Sequence, residues 1–290
     1  MKTIQKNTLG YGVLIAGVVA TNLFGLMQPA NALVLHDSWS YSMDAYNDST
    51  GFNRDGNGAF EIYGSAYKVV GDKAYFAINS NVNLSTGVYS SVAADRRIDF
   101  GDLLLNFTGQ SLDAANDKLF GIRFAAGNDS LAPTLGLYKD VTARSVTAEN
   151  SGYSSLAQYN TTVLSYGVTP TIGDLVYNDS YFDQTKSTLN SIQNGTKIGD
   201  IALLSDVSGL GLDFNFFGSK MGTYSFAFSF DAALLPTSPG IYLFGMECNN
   251  DIVAGYYDAP DTTDVPTPAA ILPTLFGLFG VASRKKKAAS

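Results

Sequence analysis

The residues best suited to chemistry are oxygen-bearing side chains in a short, glycine-containing stretch. Counted from Asn53 as position 1, the residues Asn53, Asp55, Asn57 and Glu61 fall at positions 1, 3, 5 and 9, and Gly58 falls at position 6. Carboxylate and amide oxygens at this spacing, with glycine at the sharp turn, are the pattern by which an EF-hand-type loop wraps around Ca²⁺. The sequence therefore predicts a calcium site at these four side chains.

Two other interpretations of this stretch stay open. Position 12 of the loop is Gly64, where an EF-hand has a bidentate Glu, so the stretch also fits a polar turn before a hairpin. A second arrangement is a surface Ca²⁺ site that combines Asp55 and Asn57 with Asp44 and Asp48. Calcium is the one cofactor that the sequence suggests.

The sets of residues that typically form enzyme active sites are incomplete in this sequence. The chain has a single histidine, His36, and a single cysteine, Cys248, so neither a histidine metal cluster nor an intrachain disulfide can be built from them. Ser65 and Lys68 match Ser-x-x-Lys, but a strand turns these two side chains to opposite faces. The triplet at 99–101, Asp-Phe-Gly, has no glycine-rich loop or His-Arg-Asp beside it. We expect no catalysis.

Periodic patterns along the chain predict the elements that position these residues. Two β-rich runs, 60–70 and 73–79, are joined by Gly71-Asp72, which is a specific signal for a hairpin. Further strands are predicted at 36–43, 102–107, 119–125, 135–138, 212–216, 224–230 and 241–247, and helical turns at 154–166 and 185–193. The predicted fold class is all-β, an antiparallel, jelly-roll-like sandwich with one or two short helices.

The distribution of charge indicates an acidic body between two basic ends. Two of the 18 Lys+Arg precede residue 33 and four follow residue 283, which leaves 12 against 26 Asp+Glu, a net charge of −14. A basic face for phosphate backbones is missing, so we expect no nucleic-acid partner. Acidity of this kind favours solubility and permits binding of divalent cations.

The C-terminal end has three parts in a fixed order. The motif Val265, Pro266, Thr267, Pro268 and Ala269 leads into an apolar run to residue 283, and the basic residues follow it as Arg284, Lys285, Lys286 and Lys287. Fifteen residues make a helix of about 22 Å, shorter than the roughly 30 Å hydrocarbon core. The basic group favours the cytoplasmic side, so residues before the run are expected outside. The alternative is an ordinary C-terminal membrane anchor.

This tail resembles the PEP-CTERM class of C-terminal sorting signals, in the Pro-Thr-Pro-Ala variant of cyanobacterial type. The usual Pro-Glu-Pro is here Pro266-Thr267-Pro268-Ala269, and body segments such as 60–64, 98–103, 119–124 and 247–251 are similar to those of exosortase-dependent surface proteins. The resemblance implies that an exosortase-type transpeptidase cuts at the motif and passes the body to the cell surface. It brings no catalytic residues.

The N-terminal end predicts export. Lys2 and Lys6 precede an apolar run over 9–27, and Ala30 and Ala32 supply the small residues at positions −3 and −1 of a signal-peptidase site. The alternative is an uncleaved anchor. The predicted organisation is a signal peptide at 1–32, an extracellular domain at 33–258, a linker at 259–265 and a sorting signal at 266–290.

Three functions follow as expectations. The first is an exported structural or adhesive protein of the cell surface or extracellular matrix, handled by the Sec machinery, signal peptidase and an exosortase, and anchored in the membrane only transiently. The second is a lectin-like domain that binds extracellular polysaccharide, for which an exposed Trp39 or a tyrosine on a concave face would be diagnostic. The third is a secreted hydrolase, which would need two carboxylates converging in a cleft.

Overall fold

The computed structural model describes residues 34–51, 58–204, 206–218 and 220–258. Several predicted sites lie outside these residues: the signal-cleavage residues Ala30 and Ala32, the loop residues Asn53, Asp55 and Asn57, and the linker and sorting signal from 259 onward. Within the described ranges, no helix has both the length and the hydropathy that a membrane span requires.

The described chain is mostly β-structure with one α-helix. Strands β1 to β16 are, in order, Val34–His36, Trp39–Met43, Ile62–Val70, Lys73–Ser80, Val88–Tyr89, Arg97–Ile98, Leu103–Asn106, Leu119–Arg123, Gly136–Arg144, Thr171–Ile172, Leu175–Val176, Ser191–Gly199, Ala202–Leu204, Tyr224–Asp231, Gly240–Gly245 and Ile252–Tyr257. Helix α1 is Leu156–Ser165, and single 3-10 turns lie at Ser208–Leu210, Phe214–Phe217 and Ala232–Leu234.

Two six-stranded antiparallel sheets contain most of the strands. The first has the order β1-β2-β3-β4-β14-β13, and the second has the order β12-β9-β8-β7-β15-β16. Short ribbons form from β5 with β6 and from β10 with β11. The run β1 to β4 is a meander of sequence neighbours rather than part of the two Greek keys of a jelly roll, so the expected jelly-roll-like order is not the one that forms.

The main core contains side chains from both sheets. Phe76, Phe228 and Phe230 from the first sheet share one apolar cluster with Leu105 and Phe244 from the second. Because side chains alternate along a strand, the residues between them face outward. On the second sheet these outward residues are also buried, among them Leu104 and Leu243, where α1 and the loops around it cover them.

The hairpin predicted at 60–79 is confirmed. Strands β3 and β4 pair from Ile62 to Val70, and Gly71, with φ +61°, forms the turn with Asp72. The helix predicted at 154–166 is also confirmed as α1, where the Ser155 hydroxyl accepts a hydrogen bond from the backbone N–H of Gln158.

Three predicted elements are wrong in type or extent. The single strand expected at 36–43 is the hairpin β1–β2, because Asp37 and Ser38 both have positive φ and reverse the chain. The strand expected at 212–216 is a 3-10 turn whose first free N–H, that of Asn215, is capped by the Asp213 carboxylate. The helical turn expected at 185–193 is only a single hydrogen-bonded turn at its start, where the backbone N–H of Lys186 donates to the Asp183 backbone oxygen, and the chain then enters β12.

The last strand of the described chain also differs from expectation. The strand predicted at 241–247 forms as β15, but it does not close the domain. Residues 252–257, which were expected to lead into a linker, form β16 and pair with β15 from Gly240↔Tyr257 to Gly245↔Ile252. This extra edge strand places Asp251 at the turn between β15 and β16.

Candidate metal centre

Four acidic side chains meet where the first sheet approaches the last strand of the second. Asp44 follows β2 directly, Asp48 lies a few residues on, and Glu61 precedes β3. Asp251 stands just before β16, and β16 packs against both β2 and β3. Antiparallel pairing of β2 with β3 returns the chain to the same edge, so Asp44 and Glu61 are neighbours for a topological reason.

These carboxyl groups are buried and close together. Asp44 is 7% exposed, Asp48 is 1% exposed, and both Glu61 and Asp251 are fully buried. Carboxylate oxygens of Asp44, Asp48 and Asp251 all lie within 4.8 Å of one another. Since buried charges are costly unless they are neutralised, such a group needs either protons or a cation.

The ribbon β10–β11 holds two of the carboxylates. The Thr171 hydroxyl lies 2.6 Å from Asp44 Oδ1 and 3.1 Å from Asp48 Oδ2, and it accepts a hydrogen bond from the backbone N–H of Ala45. The backbone N–H of Thr171 donates to Asp48 Oδ2 at 2.7 Å, and that of Gly173 donates to Asp44 Oδ1 at 3.0 Å. One oxygen of each carboxylate is thereby fixed in position.

The other two carboxyl groups are held by backbone N–H groups at the starts of β3 and β16 and by a serine hydroxyl. Asp251 Oδ2 accepts from the backbone N–H of Ile62 at 2.6 Å, and Oδ1 accepts from that of Ile252 at 2.8 Å. Glu61 Oε2 accepts from the Ser49 hydroxyl at 2.7 Å. Asp251 therefore joins β3 of the first sheet to β16 of the second.

Three carboxylate oxygens of the cluster have no hydrogen-bond partner within the described residues. They are Asp44 Oδ2, Asp48 Oδ1 and Glu61 Oε1, and each is shielded from solvent. In the same part of the chain, no Lys, Arg or His is ion-paired with any of the four acids. A buried acceptor without a partner costs about 1–3 kcal/mol, and more when it is charged. These oxygens are free to accept a proton or to contact a cation.

Burial and mutual repulsion raise the pKa of every member. Burial, opposed in part by hydrogen bonds from Thr171 and Gly173, raises the pKa of Asp44 to about 7, and burial likewise raises that of Glu61 to about 8. The pKa of Asp48 and that of Asp251 are both well above the ordinary value, first through burial and then through neighbouring carboxylates. Without a cation, the cluster retains protons near neutral pH.

The donor set matches calcium better than zinc. All the ligand atoms are oxygens, the kind that Ca²⁺ takes in sets of six to eight in flexible geometry. Structural zinc sites use cysteine and histidine, neither of which belongs to this cluster. The unpartnered oxygens of Asp44, Asp48 and Glu61 show that the residues present fit a bound cation.

An aromatic ring adjoins the cluster. The Tyr159 hydroxyl on α1 donates to the backbone oxygen of Asp48 at 3.2 Å. Burial and then the charges of all four acids raise the pKa of this phenol well above its ordinary value. A tyrosine this close can transfer excitation to a bound lanthanide, which gives a direct optical test for an ion.

Only some of the calcium residues predicted from the sequence lie in this cluster. Asp44 and Asp48, from the alternative set, lie in the group of close carboxylates. Glu61 is buried near enough for its charge to raise the pKa of Asp44, and we count it with them. Asp251 was missed, because it is 190 positions from Glu61 and no local spacing connects the two. Its one local signal is a position in the acidic, amide-rich stretch 247–251.

The other residues singled out in the sequence form no second chemical site. His36 stacks on Phe216 with ring centroids 3.6 Å apart. Cys248 is buried, and burial raises its thiol pKa to about 12, so the reactive thiolate is suppressed. Trp39 is fully buried and cannot serve as an exposed platform for a ligand.

The discarded motifs are explained by ordinary structural contacts. The Ser65 hydroxyl hydrogen-bonds Tyr242 inside the protein, whereas Lys68 reaches the backbone oxygen of Leu210 on the other face of β3. Asp99 forms a buried ion pair with Arg97. Neither arrangement brings a nucleophile to a base.

Comparisons with known proteins give no relative. No protein-family model, no curated protein and no solved structure matches this chain.

Proposed function

We propose that this chain is an exported calcium-binding β-sandwich that serves as a structural or adhesive component of the cell surface or extracellular matrix. The observation that carries the proposal is the cluster of four buried carboxyl groups with unpartnered oxygens and no basic partner in the described chain. The two sheets, with their shared aromatic core, support the sandwich arrangement.

A structural role suits the cluster better than a catalytic one. Glu61 and Asp251 are fully buried, so no substrate can reach their carboxylates. A cation bound there would connect the segment after β2, the start of β3 and the turn before β16. These elements belong to both sheets, so the ion would act as a cross-link between them.

Export and sorting are proposed from the sequence of the two ends. The N-terminal residues 1–32 would direct the chain through the Sec machinery to signal peptidase, which would cut after Ala32. The tail from Pro266 onward would hold the protein transiently in the membrane until an exosortase-type transpeptidase transfers the body to the surface. Calcium is plentiful outside cells, where modules with dissociation constants of about 10⁻⁴–10⁻³ M are occupied.

Calcium binding is tested on the protein released from an exporting host. Its melting temperature is measured in excess chelator and then with added Ca²⁺ or Mg²⁺, and terbium emission is recorded under tyrosine excitation. We expect Ca²⁺ to raise the melting temperature, since a ligand at 100 times its dissociation constant adds about 2.7 kcal/mol to the free energy of unfolding. We also expect terbium emission that Tyr159→Phe diminishes. Equal melting temperatures with chelator and Ca²⁺ would contradict the proposal.

Sorting is tested separately by expressing the full chain with and without an exosortase. We expect a product that lacks residues beyond the motif at 265–269, and only where the transpeptidase is present. An uncut, membrane-retained product in both hosts would refute sorting while leaving the calcium result untouched.

A further inference from the structure

A cleft of about 490 Å³ lies beside β16, away from the buried carboxylates. Its walls come from the 106–111 loop after β7, the 179–181 loop after β11, and the start of β15 around Gly240. Tyr256, on β16 and opposite Ile241 of β15, forms one side. The volume lies within the roughly 300–1,000 Å³ typical of small-ligand sites.

The rim of this cleft is fixed by internal hydrogen bonds. The Asn106 amide donates to the backbone oxygen of Gln110 at 2.8 Å and to the Tyr181 hydroxyl at 3.3 Å. Asp179 Oδ1 accepts from the backbone N–H of Tyr181 at 2.8 Å. The loops on both sides are therefore held in place before any ligand arrives, which lowers the entropic cost of binding.

Several polar groups on the rim remain free for a ligand. The Gln110 amide, the Ser111 and Ser180 hydroxyls and Asp179 Oδ2 line the cleft, and none of them bonds to another described residue. Together they offer donors and acceptors. Such a mixture suits a ligand rich in hydroxyl groups, because each hydroxyl both donates and accepts.

The charge around the cleft selects against anions. No basic side chain occurs among the described residues that line it, whereas Asp179 contributes a carboxylate. Phosphate, sulfate and uronate groups would face this carboxylate and the acidic body with no cation to offset the repulsion. Nucleic acids are disfavoured on the same ground, although their bases could stack on a tyrosine.

Tyr256 supplies a flat apolar surface at the edge of the cleft. Its side chain is 38% exposed, and its backbone N–H is held by the Asp174 carboxylate at 3.2 Å. An aromatic ring with a wet edge and an apolar face suits a ligand that has an apolar ring face and polar substituents. Sugar rings have this character.

We propose that this cleft binds a segment of neutral polysaccharide. One sugar ring lies against Tyr256, and its hydroxyl groups bond to Gln110 and Asp179 across the cleft. The site gives the exported domain a direct contact with the matrix, and it is separate from the calcium cluster.

The test is calorimetric titration of the calcium-saturated protein with defined oligosaccharides. Cellohexaose, maltohexaose and mannohexaose are the neutral probes, and a hexamer of galacturonic acid is the anionic one. We expect at least one neutral probe to bind and Tyr256→Ala to weaken that binding about tenfold or more, a factor that corresponds to 1.4 kcal/mol. Gln110→Ala should also weaken it, and the Gln110 side chain has no hydrogen bond to another described residue that the substitution would remove.

Tyr224→Ala is the matched control, because Tyr224 is 40% exposed on β14 of the other sheet. The affinity of the Tyr224→Ala variant for the oligosaccharide should equal that of the unaltered protein. The melting temperature of each variant reports whether that variant is folded. The proposal is overturned if no neutral probe binds at millimolar concentration. It is equally overturned if the anionic hexamer binds more tightly, or if folded Tyr256→Ala binds as well as the Tyr224→Ala control.

Discussion

A single carboxyl group of the cluster would have opposite effects on the stability of the ion-free protein and of the protein with a cation bound. Asp48 is almost fully buried beside Asp44 and Asp251, so without a cation its negative charge would be repelled by theirs, and this repulsion helps to keep protons on the cluster. The same charge attracts a divalent ion. A substitution that removes the charge but keeps the shape of the side chain therefore distinguishes two hypotheses. In one the cluster binds calcium, and in the other it only holds protons.

The variant Asp48→Asn makes this separation, since its amide oxygen still accepts from Thr171. We expect its melting temperature in chelator to be equal to or above that of the unaltered protein, because one repulsive charge is gone. We expect its melting-temperature rise on adding Ca²⁺ to shrink markedly, because one ligand charge is gone. Thermal denaturation with and without Ca²⁺ measures both effects.

Asp140→Asn is the control for this comparison. Asp140 is 71% exposed on β9, and its positive φ of 53° suits asparagine as well as aspartate. Neither melting temperature should change with this substitution. An unaltered calcium response in Asp48→Asn would remove Asp48 from the ligand set.

The sequence pointed to three of the four acids of this cluster for a clear reason. Asp44, Asp48 and Glu61 lie within 18 positions of one another, so local spacing and polarity could suggest a shared site. Asp251 and Thr171 reach the same place only through strand order. The burial of these side chains could not be predicted from the sequence either. A polar loop is expected at the surface unless the strands that cover it are known.

At the level of elements, local turn chemistry decided which predictions were confirmed. Gly71-Asp72 between two alternating runs specified the β3–β4 hairpin correctly. The stretch at 212–216 alternates equally well, yet it lies between Gly211 and Gly218, both with positive φ, and folds as a 3-10 turn. Alternation over five residues predicts a strand only when a partner strand is free to pair with it.

The ribbon β10–β11 is the element that most directly positions the carboxylates. Gly173 has φ +58°, and a Cβ there would collide with the Ala254 backbone oxygen and the Ser42 hydroxyl. We expect Gly173→Ala to displace the ribbon, to weaken calcium binding, and to lower stability by more than the roughly 1–2 kcal/mol of a left-handed alanine alone. Chemical denaturation in chelator and in Ca²⁺ gives both quantities.

Gly167→Ala provides the comparison for that variant. Gly167 also has positive φ, +76°, but a Cβ there meets no atom within 4 Å in the described structure. Gly167→Ala should lower the free energy of unfolding through backbone strain alone, without any loss of calcium affinity. If the two variants bind Ca²⁺ equally, the ribbon does not position the site.

At the level of the whole molecule, buried acids make stability depend on pH in a direction that calcium should alter. Asp44 and Glu61 have pKa values of about 7 and about 8 in the folded protein, against 3.8 and 4.5 ordinarily. The folded state thus holds protons that the unfolded chain has released. The free energy of unfolding of the calcium-free protein therefore falls as pH rises from about 4 to about 8.

At the proposed site calcium would bind the deprotonated cluster, so it should counter this loss. We expect the rise in melting temperature on adding Ca²⁺ to be small at acidic pH and largest at pH 8 and above, because protons compete with the ion below that range. Glu247 lies outside the cluster and has a pKa of about 8. It therefore makes the same contribution to the pH dependence of stability with and without calcium. A calcium effect that is independent of pH would place the ion elsewhere.

The position of Asp251 has a mechanical consequence for a protein held by its C-terminal end. Tension applied at Asp258 enters β16 and peels it from β15 pair by pair, beginning at Tyr257↔Gly240 and ending at Ile252↔Gly245. The residue reached next is Asp251. A cation bound there would be a stop against further unravelling, so the strand nearest the tether could open and close under load while the rest of the domain stayed intact.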